Sequence, residues 1–296
     1  MYLASENSLQ PIKSTSRSSA FVLKEALLEQ GSGSVNEDTM AIGEDCYVVC
    51  DGATTISHGQ GGREESGGLL AASIAARVLS QNSSLPLFEL AKRANSEIFQ
   101  AMDQAGVDFG ARENLWSTSF AAVRVNGETI EWCQTGDCLI MLIYDDGTGK
   151  LVTPPSDHDR ETLRQWKQVG TNVHTTIHET LTEQIAAVRR KMNVSYGALN
   201  GETEALEYIA TGREKATQIN DILLFSDGLF PTSEDPDKPL NTSLIQDFYS
   251  ALGLVGLLGH NRSIQQTDPR CCRYPRFKMY DDVSAIALTR SDRLIR

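Results

Sequence analysis

The run Cys46-Tyr47-Val48-Val49-Cys50 constrains this chain more than any other stretch. It is β-prone and too short for a helix, so it reads as a buried strand. Acidic residues bracket it: Glu37 and Asp38 lie before it, and Asp51-Gly52 follows at once. If Asp38 to Cys50 folds as a hairpin, these carboxylates meet at one end of a sheet. Clustered carboxylates repel each other unless a cation sits between them. Oxygen-only ligands select hard ions, Mg2+ or Mn2+.

The device recurs. Asp227-Gly228 follows Ile222-Leu223-Leu224-Phe225-Ser226, and Asp281-Asp282 precedes the alternating run Val283 to Leu288. A strand followed by Asp-Gly puts a carboxylate at a sheet terminus, and Gly lets a backbone carbonyl approach a ligand. An Asp-Gly pair is a turn signal first, and Asp145-Asp146-Gly147 reads as nothing more. On the pattern alone, a shared metal site and a set of ordinary turns both remain open.

The rest of the chain supplies layers to pack. Helical spacing marks Arg63 to Ser80, rich in Gly and Ala, and Leu87 to Gln104. Ser117 to Val125, Glu128 to Thr135 and Cys138 to Tyr144 then read as an antiparallel meander, turned by Asn126-Gly127 and Asp145-Asp146-Gly147. Leu151 to Thr153 follows. A polar, mixed helical region runs from Pro154 to about Met192. Leu240 to Leu258 is expected to be a helix, and Phe21 to Glu29 carries some helical character. Met1 to Ser19 reads as a loose leader or edge strand. No linker or repeat divides the chain, so one domain is expected over residues 1–296.

Composition sets limits on function. The 296 residues carry 27 basic and 39 acidic side chains, a net charge of −12. That disfavours nucleic-acid binding, which needs a basic footprint. The longest apolar stretch, Ala251 to Leu258, is too short for a membrane span. The first residues lack the apolar core of a signal peptide. Cys46, Cys50, Cys133, Cys138, Cys271 and Cys272 form no C-x-x-C pair and are expected as reduced core thiols of a cytoplasmic protein.

The ordered set of short motifs resembles the metal-dependent protein serine/threonine phosphatases of type 2C, and the bacterial branch in particular. It comprises Asn36-Glu37-Asp38, Val48-Val49-Cys50-Asp51-Gly52, Ser117-Thr118, Thr135-Gly136-Asp137, Ser156-Asp157-His158, Leu223 to Gly228, and Asp281-Asp282-Val283-Ser284. The compact chain, ending just after the Asp-Asp strand, is what suggests the bacterial branch. The resemblance implies an α+β fold, a four-layer α-β-β-α sandwich of two antiparallel sheets flanked by helices. It implies two metal ions at one end, held by Asp51, the Gly52 carbonyl, Glu37, Asp38, Asp227 and Asp281. Asp137 would join Asp227 around a third, weaker ion found in some members. Asp282 stands where Asn is common. The implied reaction is hydrolysis of a phosphomonoester by a water bridging two divalent ions, with a phosphorylated protein as substrate.

Two departures bear on substrate handling. Gly33 stands where the family usually has an Arg that clamps phosphate. The loop after Asp51-Gly52 is altered, so that Arg63 follows the Gly-Gly pair in place of His. His58 is then the displaced candidate for proton donor. Arg63 and the basic cluster Arg273, Arg276 and Lys278 are the candidates for holding phosphate. Two other functions stay open: a catalytically weak phosphatase-like binding module, and a phosphatase for small metabolites.

Overall fold

The strand Cys46–Gly52 shows why the chain folds as layers. Side chains alternate across a strand, and both faces of this one are covered. Cys46, Val48 and Cys50 pack beneath two helices, while Tyr47 and Val49 face a second sheet. A strand buried on both faces reads as an unbroken apolar run.

The computed structural model describes residues 19–53, 66–81, 84–170 and 175–293. In chain order its strands are β1 (Phe21–Glu29), β2 (Thr39–Ile42), β3 (Cys46–Gly52), β4 (Thr118–Asn126), β5 (Thr129–Thr135), β6 (Leu139–Tyr144), β7 (Gly149–Leu151), β8 (Ala210–Lys215), β9 (Ile219–Phe225) and β10 (Val283–Arg290). The helices are α1 (Gly67–Leu79), α2 (Leu87–Gln104), α3 (Arg160–Val169), α4 (Ile177–Thr180), α5 (Thr182–Arg189) and α6 (Thr242–Gln266). One sheet runs β2-β3-β4-β5-β8 and the other β1-β10-β9-β6-β7. All their pairings are antiparallel.

Three apolar clusters separate four layers. Val49, Val123 and Ile130 of the first sheet meet Ile140, Leu224 and Ile286 of the second. α1 and α2 cover the outer face of the first sheet through Ala72, Leu79, Leu90 and Ile98. α6 covers the outer face of the second through Ile245, Leu254 and Leu257. Each fully buried Leu or Ile contributes roughly 1.5–3 kcal/mol. The expected α-β-β-α sandwich is the observed one.

The segment Phe21 to Glu29 is a correction. It is strand β1, paired along its length with β10. Its burial alternates loosely rather than at helical spacing, because it lies at the edge of its sheet. The expected helix Leu240 to Leu258 is longer and is broken at Gly253, whose φ is 71°. There Glu25 of β1 accepts a 2.7 Å hydrogen bond from the Leu254 N–H and caps the resumed helix. Only Gly adopts that backbone freely.

Register then gathers the strand ends. Thr39 opposes Cys50, so Asp38 arrives beside Asp51. Phe225 opposes both Ala285 and Leu139, so β9 ends where β10 and β6 begin. One end of the sandwich therefore collects Asp38, Asp51, Asp137, Asp227, Asp281 and Asp282.

Candidate metal centre

Two close backbone approaches build this end. A Cβ on Gly52 would lie 2.3 Å from the Gly68 carbonyl oxygen, so β3 and the first turn of α1 touch only because both are Gly. A Cβ on Gly228 would fall 1.9 Å from the Asp282 carbonyl oxygen. The Glu37 carboxyl leans on Gly68, and the Glu37 carbonyl accepts from the Gly52 N–H at 3.2 Å.

The carboxylates feel one another. Burial pushes Asp51 well above the usual carboxylate range, and Asp38, Asp227, Asp137 and Asp281 push the same way. Asp227 is raised by burial and by Asp281 and Asp137, against a hydrogen bond with Asp51. Asp38 is pushed up to about 7 by burial, opposed by the Ser226 and Ser284 side chains and reinforced by Asp281 and Asp282. Those serines lie near Asp38 without serving its Oδ2, which is buried with no hydrogen-bond partner. Carboxylates crowded in this way favour a bound cation.

One protein cation is already there. Lys278 Nζ donates to Asp281 Oδ1 at 2.8 Å and lies 3.8 Å from Asp282 Oδ2. Burial disfavours its charge, yet Asp281, Asp282 and Asp51 hold its pKa above the ordinary lysine value. Asp282 itself is fixed: its two oxygens accept from the Gly31 and Glu37 N–H groups at 2.7 and 3.0 Å. Among the described residues, no three acidic, His or Cys side chains already close on one point as ligands around an ion would. The carboxylates ring the end of the sandwich, and one of them is turned to Lys278.

The other basic candidates are engaged elsewhere. Arg273 is exposed and pairs with Glu234 at 2.7 Å. Arg276 is spent on Asp268 and on the carbonyls of Gln265, Tyr274 and Met279. Neither joins the acidic end. His58 and Arg63 lie outside the described residues. Gly33 has open space around it: an added Cβ would meet only the Val35 carbonyl, at 3.4 Å. Packing does not enforce the absence of a side chain there.

In the sequence His158 stands out only as the last residue of Ser156-Asp157-His158. Its Nε2 is 3.8 Å from Asp137 and 3.4 Å from Asp159, and its Nδ1 is 2.8 Å from Ser156 Oγ. Its ring stacks on Tyr196 at 4.0 Å. Nothing in the local spacing signals that stack, which joins two loops far apart in sequence.

A family model described as protein phosphatase 2C matches residues 29–256. The chain belongs to the protein phosphatase 2C family. It is accordingly a metal-dependent protein phosphatase. The match takes in Glu37, Asp38, Asp51, Gly52, Asp137 and Asp227; Asp281 and Lys278 lie beyond it. Solved structures share the fold. The catalytic domain of the serine/threonine protein phosphatase PstP, in complex with two manganese ions, aligns with a TM-score of 0.56 at 16% identity, covering 91% of this chain and 98% of that one. PppA of Pseudomonas aeruginosa, a regulatory component of T6SS, aligns with a TM-score of 0.56 at 16% identity over 92% and 98%. The serine/threonine phosphatase Stp1 of Staphylococcus aureus gives 0.53 and 16% over 90% and 95%. No curated protein matches the chain. No helix among the phosphatase's described residues is long and apolar enough to cross a membrane.

The donor set of this phosphatase fits divalent metal. The acidic groups that converge are hard oxygen donors, and Asp38 Oδ2 is buried without a hydrogen-bond partner. That chemistry suits Mg2+ or Mn2+ and not a thiolate-loving ion. All six cysteines are free and buried. Burial holds the Cys50 and Cys138 thiols well above their usual range, with nearby carboxylates adding to the rise.

Proposed function

We propose that this protein hydrolyses phosphoserine and phosphothreonine in proteins, as one catalytic domain over residues 1–296 with residues 1–19 as a leader. The observation that carries the reading is the set of raised, mutually repelling carboxylates at one end of the sandwich. Asp51, the Gly52 carbonyl, Glu37, Asp38, Asp227 and Asp281 would hold two ions, Mg2+ or Mn2+. Bound there, such ions activate a water for attack and neutralise the phosphoryl oxygens.

The chain's own groups do the rest. Asp51 and Asp227 bring carboxylates from both sheets to one point. Asp282 locks Gly31 and the Glu37 amide, and so sets how Glu37 and Asp38 are presented. Asp137, next to His158, is the group we assign to a third, weaker ion. The free, buried thiols support a cytoplasmic location, with signalling as the role.

Hydrolysis of para-nitrophenyl phosphate with Mn2+, with Mg2+ and with chelator tests the reaction. Turnover is expected only with metal, and metal-independent turnover would overturn the reading. Phosphopeptides run against sugar and nucleotide phosphates test the substrate class. Faster turnover of the small metabolites would move the protein to that class.

A further inference from the structure

Asp282 occupies a position where the family resemblance leads one to expect a neutral Asn. Two facts explain the acid. Its separate oxygens accept two backbone N–H groups, from Gly31 and Glu37, whereas an amide has one acceptor oxygen. Its charge is balanced by Lys278, at 3.8 Å. The same ammonium makes its closer contact with Asp281, at 2.8 Å, and Asp281 is the ligand that β10 brings to the proposed centre.

The segment bearing these groups is held on both sides. Arg262 of α6 donates to the Asp281 carbonyl at 2.7 Å and lies over the Tyr280 ring. The Ser32 N–H donates to the Tyr280 carbonyl at 2.8 Å. The Asp282 carboxyl is 2% exposed, while Lys278 keeps a quarter of its side chain in solvent. The backbone and Asp282 are therefore fixed, and the lysine arm is the more exposed member of the Lys278–Asp282 pair.

We propose that Lys278 is a built-in competitor for divalent metal at Asp281: metal binding exchanges its ammonium off Asp281, and the fixed Asp282 carboxylate keeps it tethered beside the site. The inference rests on the metal-centre reading above and adds an exchange step to it. A cation that must be displaced weakens metal uptake, and a positive charge retained nearby weakens it further. The exchange also leaves an ammonium donor, tethered only through Asp282, beside the place where a phosphate would meet the metal, in a chain with Gly33 where an Arg is usual.

The test is Mn2+ binding, read by calorimetry or by the paramagnetic signal of free Mn2+, on the full chain and on Lys278→Gln and Lys278→Arg. Lys278→Gln is expected to bind one class of Mn2+ about tenfold tighter or more, because removing a unit charge at contact distance is worth at least that much. Lys278→Arg should stay near the unaltered chain. A second reading needs no variant. Acetylation of Lys278 by acetic anhydride, followed by mass spectrometry, should be slow in chelator and faster with saturating Mn2+. Unchanged or looser Mn2+ binding by Lys278→Gln overturns the proposal. So does Lys278 acetylation that Mn2+ leaves unchanged, because a lysine still held on Asp281 keeps its protection. If Lys278→Gln fails to fold, the acetylation experiment decides. A chain that binds Mn2+ without turning over substrate sinks the phosphatase reading and leaves this one standing. A chain that takes up no Mn2+ overturns both.

Discussion

Two buried acidic sites use burial in opposite ways: Asp268 in one loop, and the strand-end carboxylates drawn from Asp38 to Asp281. Asp268, 8% exposed, is fully matched: its carboxyl takes the Arg276 guanidinium at 3.1 Å and the N–H groups of Cys272 and Tyr274 at 3.2 and 2.8 Å. Among the strand-end carboxylates Lys278 is the cation in contact, on Asp281, and Asp38 Oδ2 has no hydrogen-bond partner. The difference separates a structural use of burial from a functional one. A carboxylate kept for stability is given its partners by the chain. A carboxylate kept for a ligand is left short of them. The two sites are also linked, because Asp268 and Arg276 shape the loop that delivers Asp281.

The sharpest way to break this contrast is substitution. Asp51→Asn should cut metal-dependent turnover by about a thousandfold, since a metal clamp supplies several kcal/mol to the transition state. Its melting temperature in chelator should hold or rise, because a repelling charge is gone. A fall in that melting temperature would show that Asp51 is structural after all. Arg276→Met makes the opposite demand. It strands the buried Asp268 charge and should cost about 3–5 kcal/mol in urea denaturation, with or without metal.

Metal itself comes next in size. Mn2+ at a hundredfold excess over its dissociation constant should stabilise the folded chain by about 2.7 kcal/mol per site, and chelator should remove the gain. Absence of a shift would mean that the ring of carboxylates does not bind the ion. The pH dependence follows from Asp38, raised from 3.8 to about 7. A carboxyl with a higher pKa in the native state binds its proton more tightly there than in the unfolded chain. The metal-free protein should therefore lose stability as pH rises from about 4 to 7, the window between those values. Thermal melts in chelator across that range measure it, and Mn2+ should flatten the slope. The smallest effect is expected at Arg273. Its pair with Glu234 is exposed, so Arg273→Ala should leave melting and inhibition by inorganic phosphate unchanged.

Much of the fold was legible because burial on two faces leaves a mark in one dimension. β3, β6 and β9 read as apolar runs since each is covered on both sides. α2 was placed residue for residue at Leu87–Gln104 by its spacing. β1 was not legible. An edge strand with mixed exposure carries neither period cleanly, and its pairing with β10 joins segments more than 250 residues apart. At the site, strand-end position marked Asp51, Asp227 and Asp281 in advance. The basic run near Asp281 was visible too, but not its partition. Arg273 and Arg276 turn to Glu234 and Asp268, and only Lys278 turns inward.

The opening stretch shows where the boundary falls. The sequence by itself determined that Cys46–Cys50 is a buried strand and that acids flank it, because local β preference and apolarity act over a few residues. Only the tertiary structure decided that Asp38, Asp51, Asp137, Asp227 and Asp281 share one end of a sandwich, that Lys278 lies among them, and that His158 stacks on Tyr196 beside Asp137. Those placements depend on strand register and on which distant carboxylate a charged side chain can reach. Such choices are made by the packed whole, where burial raises the cost of leaving a charge without a partner.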